Sequence, residues 1–333
     1  MFGFRVLAVA FIVGGVAASS VVADTTVTLT ARNQSAVQDT SGGTVWQARE
    51  QGLSWPASRT ALVLCDVWDK HPGNVAPDNI ANLADRINEA AAAARTLGIA
   101  VIHAPTGTMD FYRDHPARLA AIATPEAPMP AAADHKDPPF PIDDSGMQEA
   151  VAERVWTQQH PAMEIAAGDY ITDNAREMHN IFVERGIRHV LIAGMHTSLV
   201  RNTVKQWVRW GYDVALVRDL TNVMNDPLRP PYVNPQEGTE LVVEYVEKFW
   251  CPTVQSDDLG HSLRIASVPA ATATSSVKTG STQWQSLIDG GKVVSNPTAA
   301  ATVTASGQPL TPEAWAWRSK FAPYNVLDPA SQL

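Results

Sequence analysis

The chain predicts a three-layer α/β sandwich on a mainly parallel sheet. Three observations carry this reading: short continuous apolar runs, helical apolar periodicity between them, and a glycine after most of the helical stretches. Parallel strands read as unbroken apolar runs because helices cover both faces of the sheet. The first such run is Thr60–Cys65. Asp78–Leu97 then carries Ile80, Leu83, Ala84, Ile87, Ala91 and Ala94 at helical spacing and stops at Gly98, and Ile99–Ile102 follows as a second strand. Strand, helix and strand with short joints make a right-handed βαβ unit. The rhythm returns downstream. Asn174–Arg185 reads as a helix ended by Gly186, His189–Ala193 as a strand, Ser198–Trp210 as a helix ended by Gly211, and Asp213–Val217 as a strand. Gly238–Phe249 is amphipathic, with Leu241, Val242, Tyr245, Val246 and Phe249 on one face.

The flanks read differently. One base, Arg5, precedes the apolar run Val6–Ala18, and small side chains at Val21 and Ala23 mark a cut before Asp24. Residues 1–23 are therefore expected to be a cleaved secretory signal, with an uncleaved anchor as the alternative, and cleavage places the mature protein in a periplasm or outside the cell. Residues 24–50, rich in Thr, Ser, Gln and Gly, are expected to form a lead-in or wrapping arm. Pro105–Glu153, rich in Pro, Ala and Asp, is expected to form long loops over one edge of the sheet. The main domain spans 51–254. Residues 255–333 read as a Ser/Thr/Ala/Pro-rich tail with one short helix at Pro312–Phe321.

Composition narrows the function. Among 333 residues there are 34 acidic and 25 basic side chains, for a net charge of −9, which argues against nucleic acid as a partner. Two cysteines, Cys65 and Cys251, exclude a disulfide scaffold and a four-thiolate zinc site. They are open to pairing with each other or to burial as free thiols. No segment beyond the signal is apolar enough to cross a membrane, so the expected partner is a small-molecule ligand or substrate.

Chemistry in such a sheet gathers at the carboxyl ends of the strands. Those positions hold Asp66, Trp68, Asp69 and His71 after the first strand, and His103 at the end of the second. Gly194-Met-His196-Thr197-Ser198 follows a later strand and Asp219 the last. A partly buried aspartate there can act as a general base, or it can cap the following loop.

The run Ala61-Leu-Val-Leu-Cys-Asp66-Val-Trp-Asp69 resembles the opening of the isochorismatase-like hydrolases, the cysteine hydrolase group related to nicotinamidases. Val190-Leu-Ile-Ala-Gly194-Met-His-Thr-Ser-Leu-Val200-Arg, ahead of Gly211–Asp219, resembles the second signature of that family. The likeness covers about residues 55–254 and implies a six-stranded parallel sheet between helices, in a homo-oligomer. It also implies an Asp–Lys–Cys trio, of which only Asp66 matches. The nucleophile position, six residues after Gly194, is Val200, and a valine can neither attack a carbonyl nor carry a proton. The stretch Val155–His160, taken as the counterpart of the lysine segment, offers Gln158, Gln159 and His160 instead. Thr197 and Ser198 read as helix caps that also line the ligand site. The resemblance further implies a cis bond at Met195–His196. Nicotinamidase-like members bind zinc through an Asp and two His, for which Asp69, His71, His103 and His115 are weak candidates; no cofactor is otherwise expected.

These readings assign catalysis to Asp66 as base and His196 as oxyanion partner, with water replacing the thiol. Ligand contacts fall to Trp68, His103, His160, Thr197 and Ser198. The expected activity is hydrolysis of a small amide, ester or ether. The alternative is a catalytically inactive relative that binds a ligand or protein in the same cleft.

Overall fold

A computed structural model describes residues 24–70, 77–143, 155–195, 203–223, 225, 230–266 and 293–295. In chain order the elements are β1 (Thr26–Gln38), β2 (Thr44–Pro56), β3 (Thr60–Cys65), α1 (Pro77–Leu97), β4 (Ala100–Ala104) and α2 (Pro116–Ala123). They continue with β5 (Tyr170–Ile171), α3 (Ala175–Glu184), β6 (His189–Met195), α4 (Lys205–Arg209) and β7 (Asp213–Asn222). The last are α5 (Pro235–Phe249), β8 (Thr253–Val254), α6 (Asp257–Ala266) and β9 (Val293–Ser295).

All six residues of β3 are buried, as its unbroken apolar run requires. Alternate side chains feed opposite faces. Ala61, Val63 and Cys65 join a core with Phe182, Trp207 and Tyr245 from α3, α4 and α5. Leu62 and Leu64 join a second core with Ile87 and Ala91 of α1 and Leu259 of α6. Helix ends follow the local chemistry. Gly98, at φ +89, turns α1 back so that Ile99 N–H reaches Ala94 O at 2.9 Å and β4 begins at once. Asn174 caps α3 by accepting from the N–H groups of Arg176 and Glu177, and Asn234 with Glu237 forms a capping box on α5.

The strand order is β5-β4-β3-β6-β7-β8-β1-β2-β9. The six strands from β5 to β8 pair in parallel, matching the sheet the resemblance implies. The next three, β1, β2 and β9, extend it antiparallel to nine strands in all. The chain leaves β3 toward β4 and β5 on one side and returns through β6, β7 and β8 on the other. The topological switch therefore lies between β3 and β6, where open α/β sheets form their crevice.

Three expectations change. The segment 24–50 is no lead-in: Thr26–Gln38 and Thr44–Pro56 form a long hairpin in full register around a turn held by Asp39 Oδ1, which accepts from Ser41 and Gly43 N–H at 2.8 Å each. Arg32 Nε docks the hairpin on α5 through Glu247 Oε1 at 2.8 Å, a carboxylate that also accepts from Gln34 and Thr253. The loop region Pro105–Glu153 contains α2, and the stretch expected as tail opens with β8's neighbour α6, so ordered structure runs past residue 255. Of the expected helix Ser198–Trp210, the described part holds α4 at Lys205–Arg209, and residues 198–202 lie outside the described residues. The signal segment and Pro312–Phe321 lie outside the described residues.

Residues 124–143 run as an extended strap over α3, α4 and α5. Ala127 N–H donates to Asn180 Oδ1 at 3.0 Å, and Ala133 N–H to Arg209 O at 2.8 Å. Lys205 Nζ bonds Asp137 Oδ2 at 2.6 Å and Tyr245 Oη at 2.8 Å, with the Trp250 ring centroid 5.0 Å away. Asp143 N–H then reaches Pro230 O at 3.0 Å.

Candidate functional site

Asp66 is the first residue beyond β3, at the switch. Its backbone is left-handed, φ +52, a conformation that a short polar side chain tolerates better than most. The side chain is buried at 4 % exposure, and its Oδ1 accepts the N–H of Thr106 at 2.8 Å. Thr106 lies just past β4, and its carbonyl accepts Trp156 Nε1–H at 3.0 Å. Trp156 in turn stacks on Trp68, centroids 3.9 Å apart and planes within 9°. The segment carrying Trp156 is sewn to the residues after β3. Trp68 pairs antiparallel with Gln159, His160 N–H reaches Val67 O at 2.7 Å, and Asp69 N–H reaches Gln158 O at 3.0 Å. Asp69 completes the joint by accepting from Thr157 N–H and Oγ1–H at 2.9 Å each. Partial burial would raise its carboxyl, but these bonds outweigh burial and hold it below the usual carboxylate range.

On the other side of the switch, Cys65 pairs with Gly194 of β6. Gly194 has φ +124, and a Cβ there would lie 2.0 Å from Cys65 O, so only glycine lets the two backbones approach. The Cys65 thiol turns away from Asp66 toward α4, with Sγ 3.8 Å from Thr203 Oγ1. Burial, reinforced by the Asp66 charge, pushes this thiol well above its ordinary value. It is an inert thiol and supplies no substitute nucleophile. Cys251 is likewise buried and free, pushed up to about 12 chiefly by burial, so the two cysteines do not pair.

His103 is completely buried. Its Nδ1 is 3.0 Å from Gln159 Oε1 and its Nε2 is 3.1 Å from Asp169 Oδ2. Arg95 clamps Asp169 through Nε and a terminal nitrogen at 3.0 and 2.8 Å. Burial tends to raise the Asp169 carboxyl, while the bonds from His103 and Arg95 overcome it and hold it low. His103 therefore braces the wall behind Trp68 rather than facing a ligand. The His160 ring accepts Ala162 N–H at 3.3 Å, closing its own turn. His115 Nδ1 caps α2 by accepting Ala117 N–H at 3.2 Å. Both ring nitrogens of His103 are engaged, and among the described residues no three His, Cys, Asp or Glu side chains are grouped to hold a metal. Among the described residues Asp69, His103 and His115 are thus not brought together as a zinc site. His71, His196, Thr197, Ser198, Val200 and the Met195–His196 bond lie outside the described residues.

The lysine segment also moves. The strand before α3 is Tyr170–Ile171, so Val155–His160 is not its counterpart. The residues joining that strand to α3 are Thr172, Asp173 and the N-cap Asn174, none of which carries an amine. Thr172 is buried beside Glu177, and Asp173 Oδ2 accepts Gly107 N–H at 2.8 Å. Sequence reasoning missed Trp156, Thr106 and Asp173. Only Trp156, an aromatic beside a polar run, carried a usable signal.

The chain is thus a three-layer αβα protein with a buried aspartate at the switch point of its parallel strands. The family model for the isochorismatase domain matches residues 60–229, over half of the 333-residue chain. The chain belongs to the isochorismatase family. Among solved structures it is similar to a cysteine hydrolase from Pseudomonas syringae pv. phaseolicola, at 12% identity and TM-score 0.46, over 64% of this chain and 96% of that one. It is also similar to an isochorismatase family protein from Burkholderia thailandensis, at 15% identity and TM-score 0.39, over 62% of this chain and 96% of that one. The comparison with curated proteins finds no match.

Proposed function

We propose that the protein is an exported hydrolase of this family that acts on a small amide, ester or ether through an altered active site. One observation carries the reading: Asp66 keeps the buried strand-end position of a general base, with one oxygen fixed by Thr106 N–H. Water takes the role of the missing thiol, Asp66 accepts its proton, and His196 with the N–H groups around it stabilises the oxyanion. Trp68 and Trp156 wall the ligand off from bulk water on one side. Export rests on residues 1–23, which give a periplasmic or secreted protein. Exposed Phe111, Leu119 and Ile122, on and beside α2, support assembly into a homo-oligomer. Nucleic acid is not a partner, and no step passes through zinc.

The test uses the chain from Asp24 onward against a panel of esters and amides, beside Asp66→Asn. Turnover that Asp66→Asn lowers by at least ~100-fold supports the proposal. Turnover that survives the substitution overturns the role of Asp66. The second reading, a ligand-binding relative without turnover, is favoured by Val200 and by the amine-free Thr172–Asp173 joint. It predicts no hydrolysis of any panel member, but saturable binding of one.

A further inference from the structure

Two carboxylates hold consecutive backbone N–H groups of one turn. Beyond β4, Thr106 N–H donates to Asp66 Oδ1 and Gly107 N–H donates to Asp173 Oδ2, both at 2.8 Å. The two acids come from different strands, Asp66 from the end of β3 and Asp173 from beyond β5, with β4 between them. Gly107 has φ +76, a left-handed backbone that turns the chain directly after these two N–H groups. A third tie, from Trp156 Nε1 to Thr106 O, closes the turn from the opposite side. The Thr106 side chain is left exposed beside the buried Asp66.

We propose that Asp173 is a positioning residue for Asp66. The rigid plane that carries Gly107 N–H also carries Thr106 O, so Asp173 and Trp156 pin one peptide unit from two sides and leave only the φ and ψ of Thr106 between it and the N–H that meets Asp66. By holding that peptide unit, Asp173 limits the directions in which Thr106 N–H can meet Asp66 Oδ1. The carboxylate of Asp66 is thereby held in one rotamer. The joint where the family resemblance calls for an amine instead holds a second acid that acts through the backbone. The inference rests on Asp66 being the working group of the proposed function, but its geometry is testable without any substrate.

The experiment is residue-resolved amide hydrogen exchange on the chain from Asp24 onward. Asp173→Ala should speed exchange at Gly107 and also, by about tenfold or more, at Thr106, whose own acceptor is untouched. Asp173→Asn keeps an acceptor oxygen and should restore slow exchange at both. Amides of β3 and β6 should stay protected throughout, which separates loosening of the turn from loss of the fold. The reverse substitution, Asp66→Ala, should loosen Gly107 in the same way, because coupling is reciprocal. Faster exchange confined to Gly107 in Asp173→Ala, or to Thr106 in Asp66→Ala, overturns the proposal. Neither outcome depends on turnover, so a failed search for a substrate leaves this result standing on its own.

Discussion

Trp156 lies flat on Trp68, 3.9 Å between centroids, and also donates its indole N–H to Thr106 O at 3.0 Å. The same ring thus joins the aromatic wall to the turn that fixes Asp66. Trp156→Ala should destabilise the protein by about 3–5 kcal/mol through the lost burial. Trp156→Phe, which keeps a ring but loses the donor, should cost about 1 kcal/mol. Denaturant midpoints at constant slope would check both, and equal losses would show that the hydrogen bond, not the stacking, holds the wall.

Gly194 admits no side chain. Its hypothetical Cβ falls 2.0 Å from a backbone oxygen of β3 at φ +124, so Gly194→Ala must push β6 off β3. A loss of more than about 3 kcal/mol is expected. Gly42→Ala is the control: φ is also positive, +85, but nothing lies within 4 Å of the added carbon. That substitution should cost only about 1 kcal/mol by thermal denaturation.

The Asp169 carboxyl sits below its unfolded value, so its contribution to stability is present above about pH 4 and fades as acid protonates the folded state. The wild type should lose stability as pH falls below about 4, whereas Asp169→Asn should show a flatter curve there. At neutral pH the variant should lie about 3–5 kcal/mol lower, because Arg95 loses its buried counter-charge. Urea midpoints from pH 7 down to pH 3 would check the sign. A variant as steep as wild type would mean that other carboxylates govern the acid limb.

Cys65 and Cys251 are buried free thiols whose ionisation burial opposes. An aromatic disulfide reagent at pH 8 should therefore titrate no thiol in the native protein and both after unfolding. An intact mass two protons short under non-reducing conditions would reveal a bond instead.

The parallel half of the sheet was readable because burial on two faces leaves a plain mark. Thr60–Cys65, Ile99–Ile102 and His189–Ala193 are short apolar runs, the last two beside Gly98 and Gly194, and each falls in a strand. The hairpin was harder. Thr26–Ala31 does alternate, with Val27, Leu29 and Ala31 buried and the threonines out, but the pattern then dissolves into polar residues. What holds those later residues in the sheet is long-range: Arg32 and Gln34 reach Glu247, more than two hundred positions away. Asp66 could be singled out by its place directly behind a buried strand. Its partners could not, since Thr106, Trp156 and Asp173 meet only when β4, β5 and the segment after the strap converge.

By itself, then, the sequence determined the layer architecture, the family and the strand-end aspartate, because periodicity, helix stops and local motifs are properties of neighbouring residues. Only the tertiary structure decided the fate of the histidines and the second acid. His103 looks like a ligand contact until Asp169 and Gln159 close on both its ring nitrogens. Asp173 looks like a helix-start residue until the Gly107 amide arrives from another strand. Hydrogen bonds between distant segments carry no periodic trace along the chain, so their geometry exists only once the sheet has brought the strand ends together.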